Sequence, residues 1–140
     1  MTFKSILIAT DGSERSKNAI DKALELSKVT GANVFALHVM DPSIFNSMPA
    51  ATPMPDVHRS MEREGNDILE YVQRRGEEMG VKVTTILREG IPDRVIVEES
   101  EAHDLVVVGT LGRTGLSKLI MGSVAERVVR SCKPPVLVVK

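Results

Sequence analysis

A chain of 140 residues with 42% hydrophobic content has the length and composition of one folded domain around one apolar core, and residues 1–140 are expected to form a single domain with no second unit. Eighteen basic against nineteen acidic residues leave a net charge of −1 with both signs scattered, and only one tyrosine and three phenylalanines are present, so the basic face and stacking rings of a nucleic-acid binder are missing. The single Cys132 can close no internal disulfide and fits no zinc spacing, and no apolar run has the length of a membrane span or the pattern of an export signal; the expected home is a reducing cytoplasm, with no membrane partner.

Residues 3–10 are a β-rich run around Ile6-Leu7-Ile8-Ala9, turned by Asp11-Gly12-Ser13. A helix is predicted over residues 13–29, with Ala19, Ile20, Ala23, Leu26 and Ser27 on one face, Lys17, Asp21, Lys22 and Glu25 opposite, and Gly31 as its stop. Residues 33–40 form the second strand. Val34, Ala36, His38 and Met40 alternate with Phe35, Leu37 and Val39, so both faces are largely apolar and the strand is expected inside a sheet. Four prolines between residues 41 and 55 preclude regular structure and predict a flexible loop that contains Met48 and Met54. A long helix follows over residues 56–79, striped by Met61, Gly65, Ile68, Leu69, Val72 and Met79 and stopped by Gly80. Residues 81–87 are the third strand. Gly90-Ile91-Pro92-Asp93 then opens a helix in which Pro92 takes an early position that needs no N–H donor and Val95, Ile96 and Ala102 face inward. Leu105-Val106-Val107-Val108 is a fourth strand, short, β-branched and apolar throughout, as in a strand buried on both faces. A helix over residues 123–131 and a strand over residues 135–139 come last.

Alternation of strand and helix with short connections predicts an α/β fold: a doubly wound, five-stranded parallel sheet, flavodoxin-like or Rossmann-like, in the order 3-2-1-4-5 with helices on both faces. Ligands of such sheets sit beyond the carboxyl ends of the strands where the winding reverses, which brings Asp11 and Gly109 to one crevice. The stretch after the fourth strand points to a phosphate. Gly109, Gly112 and Gly115 can adopt positive φ and present bare N–H groups, Arg113 and Lys118 add positive charge, and Gly122-Ser123 opens a helix whose first N–H groups favour an anion. Against this stand purely structural readings. Ser123 with Glu126 fits a capping box, and Asp11 with Glu14 fits a helix cap in the same way. Neither a Walker A loop nor G-x-G-x-x-G after the first strand occurs. His38 reads as a hydrogen-bonded core histidine, His58 and His103 as members of polar helical or helix-end segments, and Cys132 has no base beside it. With no nucleophile–base pair or carboxylate dyad in view, no residue is assigned to catalysis.

Taken together, Gly109-x-x-Gly112, nine residues, then Gly122-Ser123, with Ile8-Ala9-Thr10-Asp11-Gly12-Ser13, Leu37-His38-Val39 and the run 131–139, resemble the ATP-binding branch of the universal stress protein family over essentially the whole chain. The resemblance implies roles residue by residue. Ala9 and Asp11 would line the nucleotide, with Asp11 reaching ribose hydroxyls or a phosphate-bound Mg²⁺ or Mn²⁺. The Val39 backbone would pair with the adenine edge, and Val108 and Gly109 would meet base and ribose. Gly112, Arg113, Gly122, Ser123 and Val124 would hold the phosphates. Leu111 and Gly12 depart from the residues frequent at their positions. The resemblance also implies a homodimer, which agrees with the apolar edge strand Val136–Val139. The leading expectation is an ATP-binding regulatory or sensor module of the stress response, with an unknown protein partner. The alternatives are a slow metal-dependent ATP hydrolase in the same pocket and an FMN carrier, the last disfavoured because no Tyr or Trp stands at a strand end to stack on a flavin.

Overall fold

A computed structural model describes residues 3–47, 49, 53–110 and 121–140. Its five strands are β1 (Ser5–Ala9), β2 (Asn33–Met40), β3 (Val83–Glu89), β4 (Leu105–Gly109) and β5 (Val136–Val139), all parallel, in the order β3-β2-β1-β4-β5. The α-helices are α1 (Ser16–Thr30), α2 (Met54–Glu78), α3 (Pro92–Ser100) and α4 (Ser123–Ser131). This is the predicted α/β arrangement and strand order.

Two apolar layers result from the period-two alternation of the strands. Ile6 and Ile8 of β1, Val34 and Ala36 of β2 and Val107 of β4 pack beneath Ala19, Ile20 and Leu24 of α1 and Leu69 and Val72 of α2. On the other side Leu7, Leu37, Val106 and Val108 pack against Val95 and Ile96 of α3 and Ala125 and Val128 of α4. The winding therefore reverses between β1 and β4, and their carboxyl ends stand side by side.

Several boundaries differ from the sequence reading, each for a local reason. α1 begins at Ser16 rather than residue 13, because the chain first completes a tight turn after β1. Pro42–Ser47 forms a short 3-10 helix where no regular structure was expected, and α2 starts at Met54, with Pro53 as its cap and Pro55 inside the first turn, where a missing N–H leaves no bond unmade. Met54 is exposed, and Met48 lies outside the described residues. β3 starts at Val83 because the Val81 N–H is engaged by the Gly76 carbonyl at 2.8 Å, closing the end of α2 around Gly80 at φ 76°. Ala102 was expected to face inward but is exposed in the turn after α3, and Ser100 takes the buried place.

Gly65 and Gly76 set how closely α2 approaches the sheet. A Cβ on Gly76 would stand 2.6 Å from the Val81 carbonyl oxygen and 2.7 Å from Val83 Cγ2. The first of these is backbone and cannot rotate away. Alanine's better helix propensity returns only about 1 kcal/mol. Gly76→Ala is therefore expected to destabilise the fold by a net of about 1–2 kcal/mol, seen as a lower urea midpoint with an unchanged slope; a variant as stable as the parent would show that α2 rides freely on β3.

Candidate functional site

The carboxyl ends of β1, β2 and β4 open into a cleft of about 590 Å³, closed on its sides by α2, α3 and the start of α4. Thr10, just past β1, organises its floor. The Thr10 N–H donates to the Leu37 carbonyl at 3.0 Å. Its own carbonyl accepts from His38 Nδ1 at 2.9 Å, which fixes the proton of a neutral His38 on Nδ1. Ser16 Oγ donates to the Ser13 carbonyl at 2.7 Å, so at 2.9 Å it accepts from the Thr10 hydroxyl, which in turn accepts the Gly12 N–H at 3.2 Å. These bonds tie the turn after β1 to the first residue of α1.

Asp11 lies within that turn. Its Oδ1 accepts the Ser13 N–H at 2.9 Å, and Gly12 adopts φ 82°, a left-handed conformation that glycine reaches without strain. Asp11 does not cap α1: the N-cap is Arg15, with no side-chain cap bond. The capping-box reading of Ser123 fails likewise. Gly122 is the N-cap of α4, Ser123 is its first helical residue and exposed, and no side chain among the described residues caps the helix. The first turn of α4 thus borders the cleft with the positive end of the helix dipole and no anionic cap of its own. Gly109 does not use positive φ as expected; it remains in β4, in register with Val139.

The structure gathers most of the sequence-predicted site residues. Ala9 and Asp11 from the end of β1, Val39 from β2, and Val108 and Gly109 from β4 all line the cleft, as do Gly122, Ser123 and Val124 at the start of α4. Gly112 and Arg113 lie outside the described residues; of their described neighbours, Gly122 donates its N–H to the Thr110 carbonyl at 2.7 Å. Sequence reasoning passed over Thr10, Ser16 and His38 on the floor, Met61 and Glu64 of α2, Asp41 and Ser43 after β2, and Pro92 and Ile96 of α3. Thr10 and His38 could have been found as the immediate neighbours of Asp11 and Val39. The α2 and α3 residues carry no local signal, because only tertiary packing brings them to the rim.

The universal stress protein family model matches residues 2–140. The chain belongs to this family. It is 42% identical over 140 residues to universal stress protein MJ0531 of Methanocaldococcus jannaschii, covering 99% of this chain and 82% of that protein. The solved structure of MJ0577, a universal stress protein of the same organism, superposes with a TM-score of 0.86 at 31% identity, covering 100% of this chain and 97% of that one. A family protein of Arabidopsis thaliana, solved with AMP bound, has the same fold with a TM-score of 0.71 at 23% identity, covering 98% of this chain and 91% of that one.

The electrostatics of this universal stress protein's cleft are two-sided. Gly109 and the α4 N-terminus form an end that attracts anions, whereas Asp11, Asp41 and Glu64 line it with carboxylates. Leu37, Val39, Val108 and Ile96 supply apolar walls between them. No group of three or more metal-ligating side chains occurs among the described residues, so a divalent cation here would need a ligand's oxygens to complete its shell, the usual situation for Mg²⁺. Away from the cleft, burial pushes the Cys132 thiol up, so it is a poor nucleophile. Because Ser123 makes no cap bond, Ser123→Ala is expected to leave stability within about 0.5 kcal/mol of the parent. A loss of about 1 kcal/mol or more in thermal or urea unfolding would mean that the serine does cap α4.

Proposed function

We propose that this protein is an ATP-binding regulatory module, a sensor whose bound nucleotide sets its shape or its choice of protein partner in a stress response. The observation that carries the reading is the convergence of three strand ends and one uncapped helix N-terminus on a single cleft at the point where the sheet reverses its winding. The apolar walls fit a base, the Val39 backbone at the end of an interior strand offers donor and acceptor to its edge, and the α4 start fits phosphates. Asp11 would hold ribose hydroxyls, or Mg²⁺ or Mn²⁺ together with the phosphates. Gly112 and Arg113 would complete the phosphate cradle. The AMP held by the Arabidopsis family member supports an adenine nucleotide.

Calorimetric titration with ATP and Mg²⁺ is expected to show one site per chain. Gly122→Val, which places a branched side chain where phosphate must approach backbone, is expected to abolish binding while the fold persists. Failure of ATP, ADP and AMP alike at millimolar concentration would refute the reading. The same samples followed for released phosphate address hydrolysis: turnover near the ordinary enzyme value of about 10 per second, lost in Asp11→Ala, would make the protein a hydrolase rather than a sensor.

A homodimer forms part of the proposal. β5 pairs with β4 on one side and with no strand on the other among the described residues, and its Leu137 is exposed. Antiparallel pairing with the same strand of a second copy satisfies the outer N–H and C=O groups and closes after two chains. Light scattering is expected to give twice the chain mass, and Val138→Pro, which removes an N–H from β5 and disfavours strand pairing, is expected to shift it to the monomer. A parent protein that is monomeric at micromolar concentration, or a fully dimeric variant, would defeat edge pairing.

A further inference from the structure

At the opposite end of the sheet from the cleft lies a buried cluster that no part of the nucleotide reading uses. The His103 side chain, between α3 and β4, is 4% exposed. Its Nδ1 is 2.5 Å from Ser5 Oγ at the start of β1, and its ring lies 4.8 Å from that of Phe35 in β2, tilted by 57°. Its Nε2 is buried without a hydrogen-bond partner, and the nearest carboxylate, Glu99 Oε2 on the last turn of α3, is 3.6 Å away. That gap is too long for a hydrogen bond. Glu99 also faces Arg88 of β3, whose Nη1 is 3.5 Å from Oε1 and whose Nη2 holds Glu98 at 2.9 Å. The neighbouring Asp104 carboxylate is engaged by the N–H groups of Lys4 and Ser5, and Glu101 faces Lys133 at 3.6 Å.

We propose that His103 and Glu99 form an acid-responsive latch on α3 that weakens nucleotide binding in the cleft when His103 takes up a proton. The proposal rests on the nucleotide reading for its effect on the cleft, and on the cluster alone for the movement of α3. In the imidazolium both nitrogens must donate. Nδ1 can give its proton to Ser5 Oγ, whose hydroxyl rotates to accept it. Among the described residues Glu99 is the carboxylate that Nε2 faces, and a buried charge is tolerated only when paired. Closing the gap from 3.6 Å to an ordinary charge-assisted length of about 2.9 Å takes about 0.7 Å of movement, shared between the Glu99 side chain and the last turn of α3 that carries it. Arg88 releases Glu99 without being stranded, since it keeps Glu98.

α3 is the lever. Its last turn carries Glu99, while Pro92 and Ile96 towards its start line the cleft. Nine residues of helix span only about 13 Å and move as one body. Burial holds the His103 ring below the usual histidine value of 6.5, with Glu99 and Asp104 pulling the other way. The latch is therefore open at neutral pH and engages in acid. A ligand that fits the cleft with α3 in its neutral position opposes the proton, and the proton opposes the ligand by the same factor.

The test is calorimetric titration with ATP and Mg²⁺ at about pH 7.5 and about pH 5.5, spanning the histidine range, on the parent and on His103→Gln. Affinity is expected to fall about fivefold more in the parent than in the variant, because every other pH effect, the ligand's own included, is common to both. Equal losses would overturn the latch. Glu99→Gln, a change at a partly exposed carboxylate, is expected to behave like His103→Gln and serves if that variant does not fold. In parallel, the His103 ring protons and the amides of residues 93–100 in the parent without nucleotide are expected to share one titration midpoint by NMR. A ring that titrates while α3 stays still, or that does not titrate above about pH 5, would overturn it too. If no nucleotide binds at either pH, the nucleotide reading fails, and the shared midpoint alone decides the latch.

Discussion

Burial of β1 on both faces and both edges is the constraint from which the architecture follows. Ile6, Leu7 and Ile8 are each 0% exposed. Removing three large apolar side chains from water contributes roughly 1.5–3 kcal/mol apiece, but only if apolar layers lie above and below, because adjacent residues of a strand point to opposite sides. Its backbone groups also need partners on two sides, supplied by β2 and β4. Short right-handed crossovers can place β2 and β3 on one side of β1 but leave its other edge open. α3 must therefore carry the chain across to β4, and the two helix layers follow from that single reversal.

The cleft is a by-product of the same reversal. Where the crossovers leave in opposite directions, no helix among the described residues covers the carboxyl ends of β1 and β4, and an open space lies beyond them. What fills the space chemically is decided by two of its borders, the turn after β1 and the start of α4. The Thr10–Ser16 hydroxyl relay locks the first, so the Asp11 carboxylate is held in place by backbone rather than by its own length. At the second, Gly122 caps α4 without a side chain, and the first-turn N–H groups of the helix border the cleft. A charge-assisted hydrogen bond to such a group contributes about 1.5–3 kcal/mol, more than a helix dipole alone at about 0.3–1 kcal/mol. Close backbone approach therefore matters more for an anion than the dipole does. The carboxylates of Asp11, Asp41 and Glu64 act in the opposite sense and would orient an anionic ligand with its charge towards α4.

α2 shows how packing reaches the site from a distance. A Cβ on Gly65 would lie 2.7 Å from Leu87 Cδ1 and 3.1 Å from His38 Cδ2, so this glycine lets the helix lie against the very ring that Thr10 holds. Gly76, three turns further on, does the same over Val81 and Val83. With both close approaches made, Met61 and Glu64 reach the cleft wall.

The period-two runs in β1, β2 and β4 and the helical stripes of α1 and α2 determined the number, type and order of the elements, because burial writes its period directly into the sequence. The right-handed crossover rule then made the strand order legible, and with it the meeting of Asp11 and Gly109. Glycine spacing around residues 109–123 pointed to a phosphate, since few other patterns tolerate so many entropy-costly residues, but residues 111–120 of that stretch lie outside the described ones. Local chemistry misled at the helix starts. Ser123 and Glu126, and Asp11 and Glu14, satisfy capping spacing, yet tertiary contacts of Thr10, Ser16 and Gly122 place the chain elsewhere. Only the tertiary structure decided that His38 lies on the cleft floor, that α2 and α3 form the walls, and that His103 sits unpaired on one nitrogen beside Glu99. Those facts depend on which side chains meet across elements distant in sequence, and a single chain's local pattern carries no record of such meetings.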